Sequence, residues 1–379
     1  MTSYDCTASS KSTKSPEPPA CEDFAGGWVA GKMIMSRTHG TSRIIGFFLM
    51  MGLIAVALHL VINHSLRNFK TSKFGAFNKV MAGDVNAEIV INGSSRALSH
   101  YDPIVIERIT GRSAYNIGMN ASQIDVELAV LKTYLKHNAK PKLVIQNLDL
   151  FSFEATKKGE IYDPGYFVPY LYEPELYEPL RRIDPVVWKW KYIPLYGYTV
   201  DDMRFTWISA LLGCIGIHGR EDYYQGFNPR EGTWNRDFDQ YKIQNRKGVK
   251  FEIQPAGIQS MEEVIRLCKS RDISFVLVYS PEYYEMQDME INRREIIDKF
   301  VELSKRFGVP FWDYSDSELS HRQDLFQNSQ HLNARGAAAF SEDLARRLAD
   351  GSIRYNAVEF RSEHAEQKSA AGGGGITSD

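Results

Sequence analysis

Cysteine is scarce in this 379-residue chain: Cys6, Cys21, Cys214 and Cys268 lie far apart and form no C-x-x-C pair. That spacing excludes a zinc knuckle and a dense disulfide framework, and leaves one bridge, Cys214 to Cys268, to be tested in the folded part. An excess of charge is lacking too, with 45 basic against 47 acidic residues and a net charge of -2. Without a global field, neither nucleic acid nor an anionic surface is favoured as a partner. A hydrophobic content of 43% is ample for a core, so disorder is not the default for the chain as a whole.

The exceptions lie at the ends. Residues 1–32 are rich in Ser, Thr, Pro and Gly with no apolar period, a composition that buries too little surface to offset ordering entropy. The reading is a disordered leader up to residue 43. After residue 350 the chain turns polar and ends in "AAGGGGITSD", which reads as a flexible tail over 351–379. Between them lies the single long apolar run: Ile44 to Ile62 is broken only by His59, and at roughly 19 residues it is close to the length of a transmembrane helix. A secretory signal would be shorter and followed by a small-residue cleavage site, so an uncleaved anchor is expected. Lys32, Arg37 and Arg43 before the run balance Arg67, Lys70 and Lys73 after it, and charge does not set the topology.

Beyond the anchor, short β-rich runs alternate with helical periods. "AEIVINGSS", "SAYNIGMN", "PKLVIQNLDLFSF", "ISFVLVYSP" and "VPFWDYS" read as five strands. "QIDVELAVLKTYLKH" sets Ile124, Leu128, Leu131 and Leu135 on one helical face, and "SMEEVIRLCKSRD" opens with Ser260 and Glu263 in capping-box register. "NRREIIDKFVELSKRFG" is a further helix, stopped by Gly308. The pattern implies an α/β domain with a mostly parallel five-stranded sheet covered on both faces, over residues 80–350. Residues 155–250, dense in Tyr, Trp and Pro, break the period. They read as an insertion over the sheet's edge or mouth, whose aromatics line a sugar surface, meet a membrane interface, or form the insertion's own core.

In a parallel sheet, ligands gather at the carboxyl ends of the strands. "INGSS" places Ser94 and Ser95 there on the first strand. A serine needs a base within hydrogen-bond reach before it can act as a nucleophile. Of nine histidines, His39, His59 and His64 lie in or beside the apolar run, His364 is in the tail and His137 ends a helix. His100 is near Ser95 only in sequence. His331, in "NSQHLNARGA", follows the last strand and precedes a helix carrying Ala337, Phe340, Leu344 and Leu348 on its apolar side.

A first-strand "NGSS" paired with a late "NSQHLNARGA" resembles the SGNH (GDSL-like) hydrolase superfamily. The resemblance is to its membrane-anchored branch, that of the D-alanyl transfer protein of teichoic acid synthesis and the alginate O-acetylation proteins. "LSHYDPIVIERITGRSAYNIGMN", "KPKLVIQNLDLFSF" and "FVLVYSPEYY" fall between them in the expected order, and the match covers about residues 80 to 350 with the insertion less well fitted. The resemblance implies a flavodoxin-like three-layer fold. It sets Ser95 at the nucleophile position, Ser94 where an Asp is common, and His331 as general base. Gly118 falls at the oxyanion-hole block, with Asn116 and Asn120 beside it as side-chain donors. The usual Gly-x-Asn of the third block is replaced by Asn147-Leu148-Asp149; Asn147 can donate, whereas Asp149 would repel an oxyanion unless protonated. Three positions before His331 the family carries Asp, and here stands Asn328. Asparagine accepts a hydrogen bond from the ring without supplying a full charge. Either a Ser95–His331 dyad works at reduced rate or another carboxylate, Asp313 or Asp324, substitutes.

By the same resemblance, the leader is cytoplasmic and the large domain extracytoplasmic. It moves or removes an acyl group, chiefly acetyl, on a glycan or acyl-glycan, with no cofactor, metal or nucleotide. The implied partner is a multi-span membrane O-acyltransferase. A catalytically inactive glycan-binding or scaffolding subunit of such an assembly is the alternative that Asn328 keeps open.

Overall fold

The computed structural model describes residues 30–199, 204–235 and 237–351. Most of the expected leader and all of the tail beyond residue 351 lie outside these residues. Contacts divide the chain after Ile54. The first unit, described from Ala30, is the start of helix α1 (Ala30–Arg67), which therefore begins within the stretch read as leader. Ile44, Phe47, Phe48, Leu49 and Leu53 on it are exposed. Over Gly40–Arg67 the helix is long and apolar enough to cross a bilayer.

The second unit starts at Ala55 and carries everything else. Helix α2 (Ser72–Ala82) leads into strand β1 (Ile89–Asn92), helices α3 (Ser95–His100) and α4 (Pro103–Thr110), and β2 (Ala114–Asn116). Helix α5 (Ile124–His137) precedes β3 (Leu143–Leu148). The insertion holds α6 (Pro174–Ile183), α7 (Val187–Tyr192), α8 (Arg204–Cys214) and α9 (Asp237–Gln244). Then follow α10 (Pro255–Ser270), β4 (Ser274–Tyr279), α11 (Tyr284–Asp288), α12 (Arg293–Phe307), β5 (Phe311–Asp313) and α13 (Ala334–Ala349).

The five strands form one all-parallel sheet in the order β2-β1-β3-β4-β5. This is the doubly wound, flavodoxin-like order. Side chains alternate along each strand, as a period of two requires. Val90, Val144, Leu277 and Tyr279 face the core under α2, α5, α10 and α12. Ile89, Ile91, Ile145, Val276 and Val278 face the other core, shared with Ala97, Ile106, Phe340 and Leu344 of α3, α4 and α13. Both faces are therefore covered, and β1 and β3 are buried along their whole length.

Two expectations about local structure are corrected. Helix α10 opens at Pro255, with Gln254 as its N-cap, so Ser260 and Glu263 lie inside it and form no capping box. Proline at the first helical position brings a preset φ and no N–H to satisfy, which lets the helix start earlier. Cys214 and Cys268 are both free, one exposed and the other buried in the core. In the insertion Tyr166, Phe167, Tyr177, Trp190 and Tyr198 are buried and join the core under α2 and α5 in place of forming a separate one, whereas Tyr162, Tyr172, Trp188, Tyr192 and Trp207 are exposed.

Candidate active site

β1 lies between β2 and β3, where the winding of the sheet reverses direction, and its carboxyl end opens the crevice in which such sheets bind ligands. The turn there depends on Gly93. Its φ is +146°, and a Cβ would come within 2.8 Å of Ala97 Cβ and 2.9 Å of Asn147 Cβ. Ser94 then caps α3: its Oγ accepts from the Arg96 N–H at 3.3 Å and donates to Asp149 Oδ2 at 2.6 Å. Ser95 is the first residue of the helix.

His331 reaches this point from a tight loop before α13. Phe326 and Leu332 form a β-bridge, and the Gln327 N–H donates to His331 O at 2.9 Å. Asn328 Oδ1 accepts from the backbone N–H groups of Gln330 (3.0 Å) and His331 (2.9 Å), which identifies that atom as the oxygen. The same oxygen lies 3.0 Å from His331 Nδ1, so Nδ1 carries the proton and Nε2 presents its lone pair. Ser95 Oγ is 2.8 Å from Nε2. Burial pushes the imidazole down to about 3, with the charges of Arg230 and Arg96 adding to the effect, so the ring is neutral.

A second histidine holds the loop in place. His100 Nε2 accepts from the Leu332 N–H at 3.0 Å, and its Nδ1 meets Ser280 Oγ at 3.1 Å. Its ring stands edge-on to that of His331, with centroids 6.2 Å apart. Burial, then Arg96 and His331, keeps it neutral as well. Proximity in sequence gave no warning of this role, which depends on the loop after β5 folding back over α3.

The two carboxylates considered as substitutes are engaged elsewhere. Asp324 pairs with Arg322 at 2.9 Å and Arg335 at 3.2 Å, and Asp313 Oδ1 accepts from the Ser315 N–H at 2.9 Å. Neither bonds to His331. Both satisfy local turn and surface partners, and among the described residues Asn328 is the group that meets His331 Nδ1.

Among the expected oxyanion donors, Gly118 N–H donates to Asn116 Oδ1 at 2.9 Å, and Asn116 Nδ2 donates to Ala97 O at 2.7 Å. Asn147 is fully buried; it accepts from Tyr101 Oη at 2.8 Å and donates to Asp149 Oδ2 at 3.2 Å. These three groups bind the turn together and are not free to receive an oxyanion. Asn120 differs. Its Oδ1 accepts from Arg230 Nη2 at 3.2 Å, while its amide nitrogen has no acceptor among the described residues. Met119 N–H donates to Gly93 O at 3.0 Å, which sets this loop beside the turn that carries Ser95.

Arg230 is a residue that the sequence did not single out. The Asn228 N–H donates to Leu98 O (3.1 Å) and the Ala334 N–H to Arg230 O (3.0 Å), so the insertion straps α3 to the start of α13. Arg230 Nε is buried without a partner, and no carboxylate pairs with its guanidinium among the described residues.

Beneath the serine lies a charged network. Arg96 pairs with Asp149 at 3.4 Å and stacks over Tyr279, 4.6 Å from the ring centroid. Tyr279 Oη donates to Glu282 Oε2 at 2.6 Å, and Arg293 bonds to Glu290 at 3.2 Å. Arg96 thus offsets the charge that Asp149 would otherwise present to an oxyanion, although burial still raises the Asp149 pKa. A narrow cleft opens here, lined by Ser95, His331, Phe151, Phe251, Glu282 and Glu290 among others. Phe251 also borders a wider, more open recess along residues 250–255. Among the described residues no cluster of three or more His, Cys, Asp or Glu side chains is placed to hold a metal.

The solved structures that this chain resembles include GDSL-like lipolytic proteins and acylhydrolases. One is a candidate lipolytic protein of the G-D-S-L family from Desulfitobacterium hafniense, 10% identical, with 69% of this chain and 99% of that one covered and a TM-score of 0.35. Another is a candidate acylhydrolase from Bacteroides fragilis, at 11% identity, 70% and 88% coverage and a TM-score of 0.34. A third is a GDSL-like lipase from Bacteroides thetaiotaomicron, at 10% identity, 76% and 100% coverage and a TM-score of 0.34. Likeness at this level adds nothing to the reading of the site, which rests on its own geometry. No family model and no curated protein matches the chain.

Proposed function

We propose that this chain is a membrane-anchored, serine-dependent acyl-transfer enzyme acting on O-acyl groups, chiefly acetyl, of an extracytoplasmic polysaccharide. The observation that carries the reading is the hydrogen-bonded series Ser95 Oγ, His331 Nε2, His331 Nδ1, Asn328 Oδ1 at the carboxyl end of β1. Ser95 Oγ attacks the acyl carbonyl; as the new C–O bond forms, the carbonyl electron pair moves onto its oxygen and His331 takes the hydroxyl proton. Collapse of that oxyanion breaks the ester bond, and the proton returns from His331 to the departing alkoxide. A sugar hydroxyl or water then accepts the acyl group by the reverse sequence. The exclusion of water from the closed site decides between transfer and hydrolysis.

Glycan recognition is supported by the cleft, where the rings of Phe151 and Phe251 stand beside the carboxyl groups of Glu282 and Glu290. Apolar ring faces beside polar hydrogen-bonding groups suit a sugar. The multi-span O-acyltransferase partner and the extracytoplasmic position rest on the sequence resemblance. Asn328 favours a second reading, an inactive glycan-binding subunit, because among the described residues the group at His331 Nδ1 is an amide and not a carboxylate.

The test is covalent labelling of the full chain with a fluorophosphonate or an activated acetyl ester, with the adduct located by mass spectrometry. An adduct on Ser95 that disappears in His331→Ala supports the enzyme. Absence of any adduct on Ser95 across pH 5 to 9, with sugar binding retained, establishes the binding subunit instead.

A further inference from the structure

Helix α8 is built inside out. Over its 11 residues the small or polar side chains Thr206, Ser209 and Ala210 are buried, while Phe205, Trp207, Ile208 and Leu211 are exposed, followed by exposed Ile215 and Ile217. A helix on a water-soluble surface shows the reverse arrangement, with its large apolar stripe inward. Small residues at the helix contact and large apolar ones outside are what helices in lipid display, since close backbone approach replaces the hydrophobic drive.

The contact that buries the small face is with the end of α1. Ser65 Oγ donates to Ala210 O at 2.5 Å, and at Gly213 a Cβ would collide with Ser65 Oγ and lie 3.1 Å from Phe69. Trp207 Nε1 donates to Tyr198 O at 2.9 Å, and Tyr198 Oη bonds to Asn63. The exposed face of α8 thereby continues the exposed apolar surface of α1 at Leu58, Leu60 and Val61. On the neighbouring α7, Trp188 and Tyr192 are exposed beside Lys189 and Lys191, and the Leu195 N–H reaches His59 Nδ1 at 3.3 Å. Exposed Trp and Tyr with lysines, on the segment that leads to Leu195, are the residue types of the belt at a membrane–water boundary.

We propose that α8 is a lipid-embedded helix that lies in the bilayer beside the end of α1, so that the large domain is seated on the membrane and not merely tethered to it. The proposal rests on α1 being an uncleaved anchor. At about 16 Å, α8 reaches only part of the way through a hydrocarbon core of about 30 Å. It therefore enters and leaves on the same side. The occupant of its face is lipid acyl chain, because the surface is continuous with α1 and its inward face is already satisfied.

The experiment uses the full chain, with Cys6, Cys21 and Cys214 replaced by Ser, reconstituted in phosphatidylcholine–phosphatidylglycerol vesicles. Spin labels are attached singly through Ile208→Cys, Leu211→Cys, Leu58→Cys on α1, and Arg294→Cys, whose side chain is fully open to solvent. Their relative accessibility to oxygen and to a water-soluble nickel chelate is then read, and thermal melting confirms that each variant is folded. Labels at 208 and 211 are expected to show oxygen-to-nickel ratios several-fold above that at 294, as at 58. Nickel access at 208 and 211 equal to that at 294, with 58 still in lipid, overturns the seating of α8 and leaves the anchor intact. Nickel access at 58 as well overturns the anchor, and this proposal with it. Shielding at 208 and 211 from both reagents in pure lipid vesicles, or shielding that appears only when a multi-span protein is added, assigns the face to a protein partner and overturns the lipid assignment.

Discussion

Asn328 Oδ1 lies 3.0 Å from His331 Nδ1, in the place where a carboxylate would stabilise a protonated imidazole. The amide fixes the tautomer, and its two backbone donors hold it in position, but it supplies no negative charge as His331 gains a proton. Asn328→Asp keeps the acceptor geometry and adds that charge. A carboxylate beside the ring favours its protonated form, so the His331 pKa rises from about 3 and the acid limb of the kcat/KM profile moves to higher pH. The rate on an acetyl ester at neutral pH is expected to increase roughly 10- to 100-fold. An unchanged rate and acid limb in a folded Asn328→Asp variant would mean that His331 bears no developing charge.

Arg230 acts on the same imidazole with the opposite sign. Its guanidinium is one of the charges that hold the His331 pKa down, and it anchors Asn120 Oδ1 at 3.2 Å. Arg230→Gln removes the repulsion and leaves an amide able to reach Asn120. The acid limb of the activity profile is expected to shift upward, less far than in Asn328→Asp, and Arg230→Lys is expected to restore the lower position. A profile that does not move in Arg230→Gln, measured with a neutral ester at fixed ionic strength, would show that the charge is screened from the site.

The strands were legible because each is a short apolar run ended by Gly, Asn, Asp or Pro, and burial on both faces leaves little else for such runs to do. Ser95 and His331 could be paired because both follow strands whose carboxyl ends share one edge of a parallel sheet. The partners of these two residues were harder to read. Asp313 and Asp324 are titratable and near in sequence, yet their directions are set by Ser315, Arg322 and Arg335. His100 and Arg230 act through contacts made only when the last loop and the insertion close over α3, a relationship spread across more than two hundred residues. Helix α8 gave no usable signal because its large apolar residues face outward and its small and polar ones inward, the reverse of the pattern read for a water-soluble helix.

Gly93 is the position where the fold tolerates least change. A left-handed φ and two Cβ contacts under 3 Å act together there, on a turn that sets the Ser95 backbone. Gly93→Ala is expected to cost about 2–4 kcal/mol, by strain at positive φ and overpacking against Ala97 and Asn147. Urea denaturation checks the value. A loss below about 0.5 kcal/mol, the range of ordinary surface changes, would mean that the turn relaxes freely.

Glu290 makes stability depend on alkaline pH. Burial, the nearby Glu282 and only partial compensation from Arg293 raise its pKa from the ordinary carboxyl range to about 9. Arg96 is the other charge that opposes the shift, and its side chain is committed to Asp149 and the Ser280 carbonyl. The folded protein therefore keeps the Glu290 proton through a range in which the unfolded chain has released it. Between about pH 4.5 and 9 the folded state binds more protons, so its stability falls as pH rises. The neutral histidines act oppositely, since His100 and His331 resist protons that the unfolded chain accepts below about 6.5. Stability is thus lost on the acid side through the histidines and on the alkaline side through Glu290. Glu290→Gln retains the hydrogen-bonding shape without the titration. Its melting temperature is expected to decline less between pH 6.5 and 9 than that of the unaltered chain, and to fall more steeply as pH drops from 6.5 to 4.5, where Glu290 no longer opposes the histidines. Parallel alkaline declines in the two proteins would place the responsible proton on another group.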